Sequence, residues 1–242
     1  MALQWVRSLV FNAQMYIAML VLGIVYLPAA LLTPDGALRA CHTYCRWVIW
    51  TASWMIKLRV ELRGAPPADP VLIAAKHQSF LDIIVIFHAV PSGRFIMKRL
   101  LMYAPIIGQY GLRIGCIPVN RGRRGAAIAE MQKRVAAGQA RPGQLIIYPQ
   151  GTRVAPGAAR PYKVGTAVLY EQLAQDCVPV ATNIGVFWPK RGVLRKPGTA
   201  VVEFLPRIPA GLPKDDFLIR LERDVETASN ALMREAGFAP VD

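Results

Sequence analysis

The sequence predicts an α/β protein: a mostly parallel central sheet with helices on both faces, preceded by an N-terminal helical hairpin. Two observations carry that expectation. From Leu58 onward, short apolar runs alternate with stretches of helical period, the pattern of strands joined by crossover helices. Upstream of Leu58 the apolar stretches are too long to be strands. At 242 residues the chain can bury a sizeable core.

The first apolar run, Leu9 to Leu32, is nearly uncharged, interrupted by Asn12 and Gln14 and closed by Pro28, Pro34 and Gly36. Its length suits a helix that spans a bilayer or lies obliquely in one leaflet. A cleaved signal peptide fits less well, because the run exceeds a usual signal core and Pro28-Ala29-Ala30 leads into more leucine. After an expected turn at Thr33-Pro34-Asp35-Gly36, a second stretch from Cys41 to Leu58 carries Trp47, Trp50 and Trp54. Spacings of three and four put these indoles on one helical face, and tryptophan favours the headgroup boundary. Residues 1–57 are therefore expected to form a membrane-attaching hairpin, and residues 58–242 a separate α/β domain.

Composition supports a lipid partner. The chain combines a net charge of +14 with 54% hydrophobic residues. Nucleic-acid binders are basic but seldom this apolar, whereas a protein held on anionic lipid is both, so membrane lipid is expected as a partner and nucleic acid is not. Cys41, Cys45, Cys116 and Cys177 are too few and too scattered for a disulfide framework, which points to a reducing, cytoplasmic setting. Cys41-His42-x-x-Cys45 has no second Cys/His pair to complete a tetrahedral site, so no metal is expected.

Within the α/β part the expected strands are Leu58–Leu62, Val71–Ala75, Arg94–Met97, Ile114–Val119, Gln144–Tyr148, Val178–Val186 and Ala200–Leu205. The expected helices are Leu81–Ala89, Ala126–Ala137, Val164–Gln175 and Asp215–Glu235, the last an amphipathic surface helix with no chemical signal. In parallel sheets, chemistry gathers on the loops that leave the carboxyl ends of the strands. His77 follows the second strand, Arg121 the fourth, and Gly151-Thr152-Arg153 the fifth, so all are expected at one edge.

Lys76-His77-Gln78-Ser79-Phe80-Leu81-Asp82 is the stretch with the clearest chemical sense. Residues five apart diverge on a regular helix, so His77 and Asp82 meet only if His77 lies in the turn and Asp82 in the first helical turn. Ser79 with Asp82 reads as a capping box that starts the helix at Ser79. A plain capped helix with an incidental histidine is the competing interpretation. Between Gly93 and Lys163 cations are frequent, with Arg94, Arg113, Arg121, Arg153 and Arg160 among them, against Glu130 as the lone carboxylate. Arginines delivered straight after apolar strands suit bidentate contact with phosphate.

In this order the segments resemble the glycerolipid acyltransferase family, best known from 1-acyl-sn-glycerol-3-phosphate (lysophosphatidate) acyltransferases. His77 and Asp82 match its His-x4-Asp block, Gly115 and Arg121 the Gly-to-Arg block, Pro149, Gly151, Thr152 and Arg153 the Pro-Glu-Gly-Thr-Arg block, and Val178-Pro179-Val180 the late Val-Pro-Val. Lys76 stands where the family usually has Asn, and Gln150 where it has Glu. The resemblance implies acyl transfer from an acyl thioester, of acyl-carrier protein or coenzyme A, to the free sn-2 hydroxyl of 1-acyl-glycerol-3-phosphate, giving phosphatidate in phospholipid biosynthesis. It implies no cofactor beyond that co-substrate, and a place on the cytoplasmic face of a membrane, the inner membrane in a bacterium.

In that scheme His77 is the general base and Asp82 its orienter. Arg121, with Gly151, Thr152 and Arg153, binds the acceptor phosphate, and Lys76 either touches phosphate or tunes His77. Amides near Gly151 are expected to face the thioester oxyanion. Another lysolipid acceptor, such as a lyso-ornithine lipid, leaves every motif unchanged. A non-catalytic basic membrane-binding module is a further alternative. A serine hydrolase is disfavoured because no Gly-x-Ser-x-Gly elbow occurs.

Overall fold

The computed structural model describes residues 1–119 and 143–238. Three helices come first: α1 (Ala2–Val25), α2 (Leu27–Leu32) and α3 (Pro34–Met55). Then follow β1 (Leu58–Arg63), β2 (Leu72–Ala75), α4 (Leu81–Ala89), β3 (Arg94–Lys98), a 3-10 turn (Arg99–Tyr103), α5 (Ile107–Arg113), β4 (Ile117–Val119) and β5 (Leu145–Ile147). The chain ends with α6 (Val164–Leu173), β6 (Cys177–Thr182), α7 (Ile184–Phe187), β7 (Gly198–Phe204) and α8 (Lys214–Glu235).

The strands form one seven-stranded sheet in the order β1-β7-β6-β2-β5-β3-β4. Every pairing is parallel except β6 with β7. The predicted α/β class with a mostly parallel sheet covered on both faces is therefore what the chain adopts. Alternation along β2 shows how: Ile73 and Ala75 enter a core shared with α3 and α4, while Leu72 and Ala74 enter one shared with α6 and α8.

Local chemistry corrects several boundaries. Thr33-Pro34-Asp35-Gly36 is the first turn of α3 and not a loop: the Gly36 amide donates to Thr33 Oγ1 at 3.0 Å, and Pro34 takes a position whose N–H needs no partner. A Cβ on Gly36 would lie 2.2 Å from the Ala29 carbonyl oxygen, so glycine is what lets α2 fold back on α3. The expected strand Ile114–Val119 starts only at Ile117, because Ile114 closes α5 and Gly115 has a φ of +88°. The strand expected to reach Val186 stops at Thr182, and the chain turns into α7. The expected helix Ala126–Ala137 and Arg121 lie outside the described residues.

The helices of residues 1–57 pack against the sheet. Phe11, Met15, Val48, Ala52 and Ile56 belong to the same buried cluster as Leu58, Ile73 and Val180. Gln4, Ser8 and Asn12, one helical turn apart, bind the loop before β7: Gln4 Nε2 donates to the Arg195 carbonyl, the Arg195 amide to Ser8 Oγ, and Asn12 Nδ2 to the Val193 carbonyl. Asn12, which interrupts the apolar run, and Gln4 and Ser8, which precede it, thus weld α1 to the sheet domain. The opposite face of α1 stays bare, with Leu9, Ile17, Leu20 and Ile24 exposed, and so do Trp47, Trp50 and Trp54 on α3. Among the described residues α1 is the one helix long and apolar enough to cross a bilayer.

Candidate active site

β2 and β5 are parallel neighbours, so the turn after β2 and the loop after β5 leave the sheet side by side. The two segments are tied directly, the Val154 amide donating to the His77 carbonyl at 2.7 Å. His77 Nδ1 lies 3.1 Å from Asp82 Oδ2. Asp82 is fully buried, and the same oxygen accepts the amides of Gln78 at 2.6 Å and Ser79 at 2.8 Å. The helix therefore begins two residues later than the capping box implies, at Leu81. Asp82 reaches back over the turn from inside that first helical turn, and Ser79 Oγ accepts the Leu81 amide instead.

This arrangement fixes the histidine chemically. A carboxylate can only accept, so neutral His77 places its proton on Nδ1 and leaves the Nε2 lone pair as a base. The imidazole also stacks on Tyr148, ring centroids 3.9 Å apart and planes at 19°. Tyr148 is buried, its hydroxyl has no partner, and burial pushes that phenol well above its ordinary pKa, so it packs as an aromatic slab. Sequence reasoning passed over Tyr148. Its one signal was a position at the end of the strand leading into Pro149-Gln150-Gly151.

In the loop after β5, Gly151 has a φ of +70°, and its amide donates to the Tyr148 carbonyl at 2.8 Å. That bond closes the turn after β5 with the Gly151 N–H. Thr152 and Arg153 are half-buried beside the histidine turn. The Arg153 carbonyl accepts Lys190 Nζ at 2.9 Å. Burial, with the nearby Arg153 charge adding to it, pulls the Arg195 guanidinium down to about 10. The loop thus sits within a cationic group of Arg153, Lys190 and Arg195.

Lys76 is placed differently from the expectation. Its side chain is 2% exposed and ends 2.6 Å from Glu226 of α8. The ammonium is paired with that carboxylate. Glu226 also accepts from the Tyr162 hydroxyl at 3.0 Å and, at 3.4 Å, from Gln150 Nε2. The two departures from the family blocks, Lys76 and Gln150, therefore converge on one carboxylate. That carboxylate comes from the helix judged chemically silent in sequence. The described geometry thus assembles an oriented base and the loop after β5, with Arg121 not among the described residues.

An imidazole oriented by a buried carboxylate at the mouth of an α/β sheet has the form of a general base for a hydroxyl. Comparison with known proteins narrows this. The family model described as Acyltransferase matches residues 57–183. The chain is 28% identical over 171 residues to a 1-acyl-sn-glycerol-3-phosphate acyltransferase of Pseudomonas aeruginosa, covering 70% of this chain and 66% of that protein. It is 31% identical over 178 residues to the human 1-acyl-sn-glycerol-3-phosphate acyltransferase alpha, covering 71% of this chain and 62% of that protein. The chain thus spans under two thirds of the length of either relative. The crystal structure of the 1-acyl-sn-glycerophosphate acyltransferase PlsC from Thermotoga maritima has the same fold, with a TM-score of 0.79 at 19% identity over 95% of this chain and 97% of that one. This chain belongs to the acyltransferase family.

Proposed function

We propose that this protein transfers a fatty acyl group from a coenzyme A or acyl-carrier-protein thioester to the sn-2 hydroxyl of 1-acyl-glycerol-3-phosphate, producing phosphatidate. The observation that carries this reading is the His77–Asp82 contact at the sheet mouth, in a chain whose relatives bear that enzyme's name. Nε2 of His77 takes the proton of the acceptor hydroxyl as its oxygen attacks the thioester carbonyl. The carbon–oxygen ester bond forms, the carbon–sulfur bond breaks, and the proton passes to the departing thiolate. Asp82 holds the ring and steadies the imidazolium between these steps. Arg153 and Arg121 hold the acceptor phosphate, so that remote binding energy orients the hydroxyl.

The bare face of α1, the exposed leucines Leu27, Leu31 and Leu32 of α2, and the exposed tryptophans of α3 attach the enzyme to lipid. Because Gln4, Ser8 and Asn12 are bonded to the domain, α1 lies along one leaflet instead of crossing it. The reading places the enzyme on the cytoplasmic face of the membrane. Purified protein supplied with lysophosphatidate and either thioester tests the activity. Thioester consumption that depends on lysophosphatidate and disappears in His77→Ala supports the proposal. Consumption that persists in a folded His77→Ala variant, or that responds only to other lysolipids, overturns it.

A further inference from the structure

We propose that the cavity between the start of α3 and the start of β3 is a second anion site, built for a phosphate group at the sheet edge opposite His77. The cavity measures about 370 Å³, and Pro34, Asp35, Leu38, Ser92, Arg94 and Arg113 are on its wall. Arg94 is the unusual member. It is 6% exposed, and its Nε and Nη1 atoms are buried without any hydrogen-bond partner. Among the described residues Nη2 alone reaches a protein acceptor, the Gly143 carbonyl at 3.4 Å. A guanidinium withdrawn from water with most donors unmatched is unfavourable unless an anion completes it. Burial correspondingly holds its pKa below the ordinary arginine value.

The surroundings are shaped around this side chain. Gly115 adopts a φ of +88°, and a Cβ there would lie 3.1 Å from Arg94 Cδ. Arg113 supplies a second cation to the wall while its Nη1 donates to the Ala30 carbonyl, in the last turn of α2, at 2.9 Å. Asp35, also on the wall, already has a partner of its own. Two guanidinium forks and the Ser92 hydroxyl offer more donors than a carboxylate can accept, and phosphate matches them better. The leucines exposed beside the Arg113 contact, Leu27, Leu31 and Leu32, give the tails of a phosphate-bearing lipid a place to lie.

This position is separate from the catalytic edge. Arg94 is level with Leu145, which is level with Leu72, all at the beginnings of their strands. His77 lies beyond the other end of β2. At about 3.3 Å per residue along β2 and about 4.8 Å for each of the two strand spacings, the two are roughly 19 Å apart, so this is not the acceptor-phosphate position. The inference stands whether or not the acyl-transfer reading holds.

The test uses the full-length protein in detergent, titrated with inorganic phosphate while thermal unfolding is followed. It is paired with flotation on phosphatidylcholine vesicles with and without phosphatidylglycerol. Phosphate is expected to raise the Tm of the wild type and of Arg153→Ala. Arg94→Met is expected to bind phosphate about tenfold more weakly or worse, the loss of a charge-assisted contact. Arg113→Gln, which leaves the buried side chain in place, is expected to weaken binding in the same direction and decides the question if Arg94→Met does not fold. Reduced flotation of Arg94→Met or Arg113→Gln on phosphatidylglycerol vesicles assigns the phosphate to a lipid headgroup. A phosphate response without a flotation change assigns it to the free anion. A phosphate response unchanged in the folded variants, or one that vanishes in Arg153→Ala, overturns the proposal.

Discussion

The Lys76 ammonium and the Glu226 carboxylate lie 2.6 Å apart, although 150 residues separate them in sequence. Removing one partner strands a charge. Glu226→Gln is expected to lower stability by about 2 to 3 kcal/mol, the lower part of the range for a buried pair because Glu226 is 27% exposed. Lys76→Asn combined with Glu226→Gln should recover more than half of that loss, since no lone charge remains. Urea unfolding of the two single variants and the double variant measures it. Strictly additive losses would show that the contact contributes nothing.

Tyr148 separates a packing role from a hydrogen-bonding one. Its hydroxyl is buried without a partner, so Tyr148→Phe should keep full turnover and leave stability unchanged or raised by up to about 1 kcal/mol. Tyr148→Ala removes the slab under the imidazole and should cost about 3 to 5 kcal/mol of stability. Turnover should fall at least tenfold, with little change in the acceptor KM. Thermal unfolding and steady-state kinetics on both variants check the contrast.

Asp82→Asn should impair both chemistry and folding. His77 Nδ1, Gln78 N and Ser79 N all converge on Oδ2, so the amide oxygen can still take that place, but the negative charge that holds three donors on one oxygen and steadies the imidazolium is lost. A fall in kcat of roughly 10³-fold is expected with the acceptor KM nearly unchanged, together with about 2 kcal/mol of lost stability. A variant as unstable as predicted but as active as the wild type would confine Asp82 to the turn.

Alkaline pH should destabilise the fold through its buried thiols. Burial pushes Cys116 from 9.0 up to about 11. The folded thiol holds its proton more tightly than the unfolded one, so this contribution is complete below pH 9 and is lost as the pH rises from 9 to about 11. The loss is on the order of 2 kcal/mol. Cys116→Ala should show a shallower decline in stability over that interval, measured by urea unfolding at successive pH values. An identical slope would mean that Cys116 does not titrate with unfolding.

The parts of this molecule that sequence reveals are those written in short-range patterns. β2 is an unbroken apolar run, and the pairing of His77 with Asp82 follows from a spacing that only a turn-to-helix junction brings together. Contacts fixed by tertiary packing leave no such trace. Glu226 looks like any other charge on an amphipathic helix until α8 is laid across the sheet. Gln4, Ser8 and Asn12 recur every four residues, but the backbone they bind, near Arg195, is most of the chain away. The packing of the N-terminal helices is silent for the same reason: α1 and α3 are apolar on two faces, one for the exterior and one for the sheet.

Gln78, beside His77, accepts the Gly185 amide at 3.0 Å and directs its Nε2 at the Met233 sulfur, 3.3 Å away. With Glu226 gripping Lys76, both neighbours of His77 are therefore held by segments made late in synthesis. A nascent chain can deliver its N-terminal helices to lipid while the ribosome is still translating. The imidazole gains these supports only once residue 233 has left the exit tunnel, so a chain that ends upstream of α8 lacks the contacts that hold Lys76 and Gln78 on either side of it.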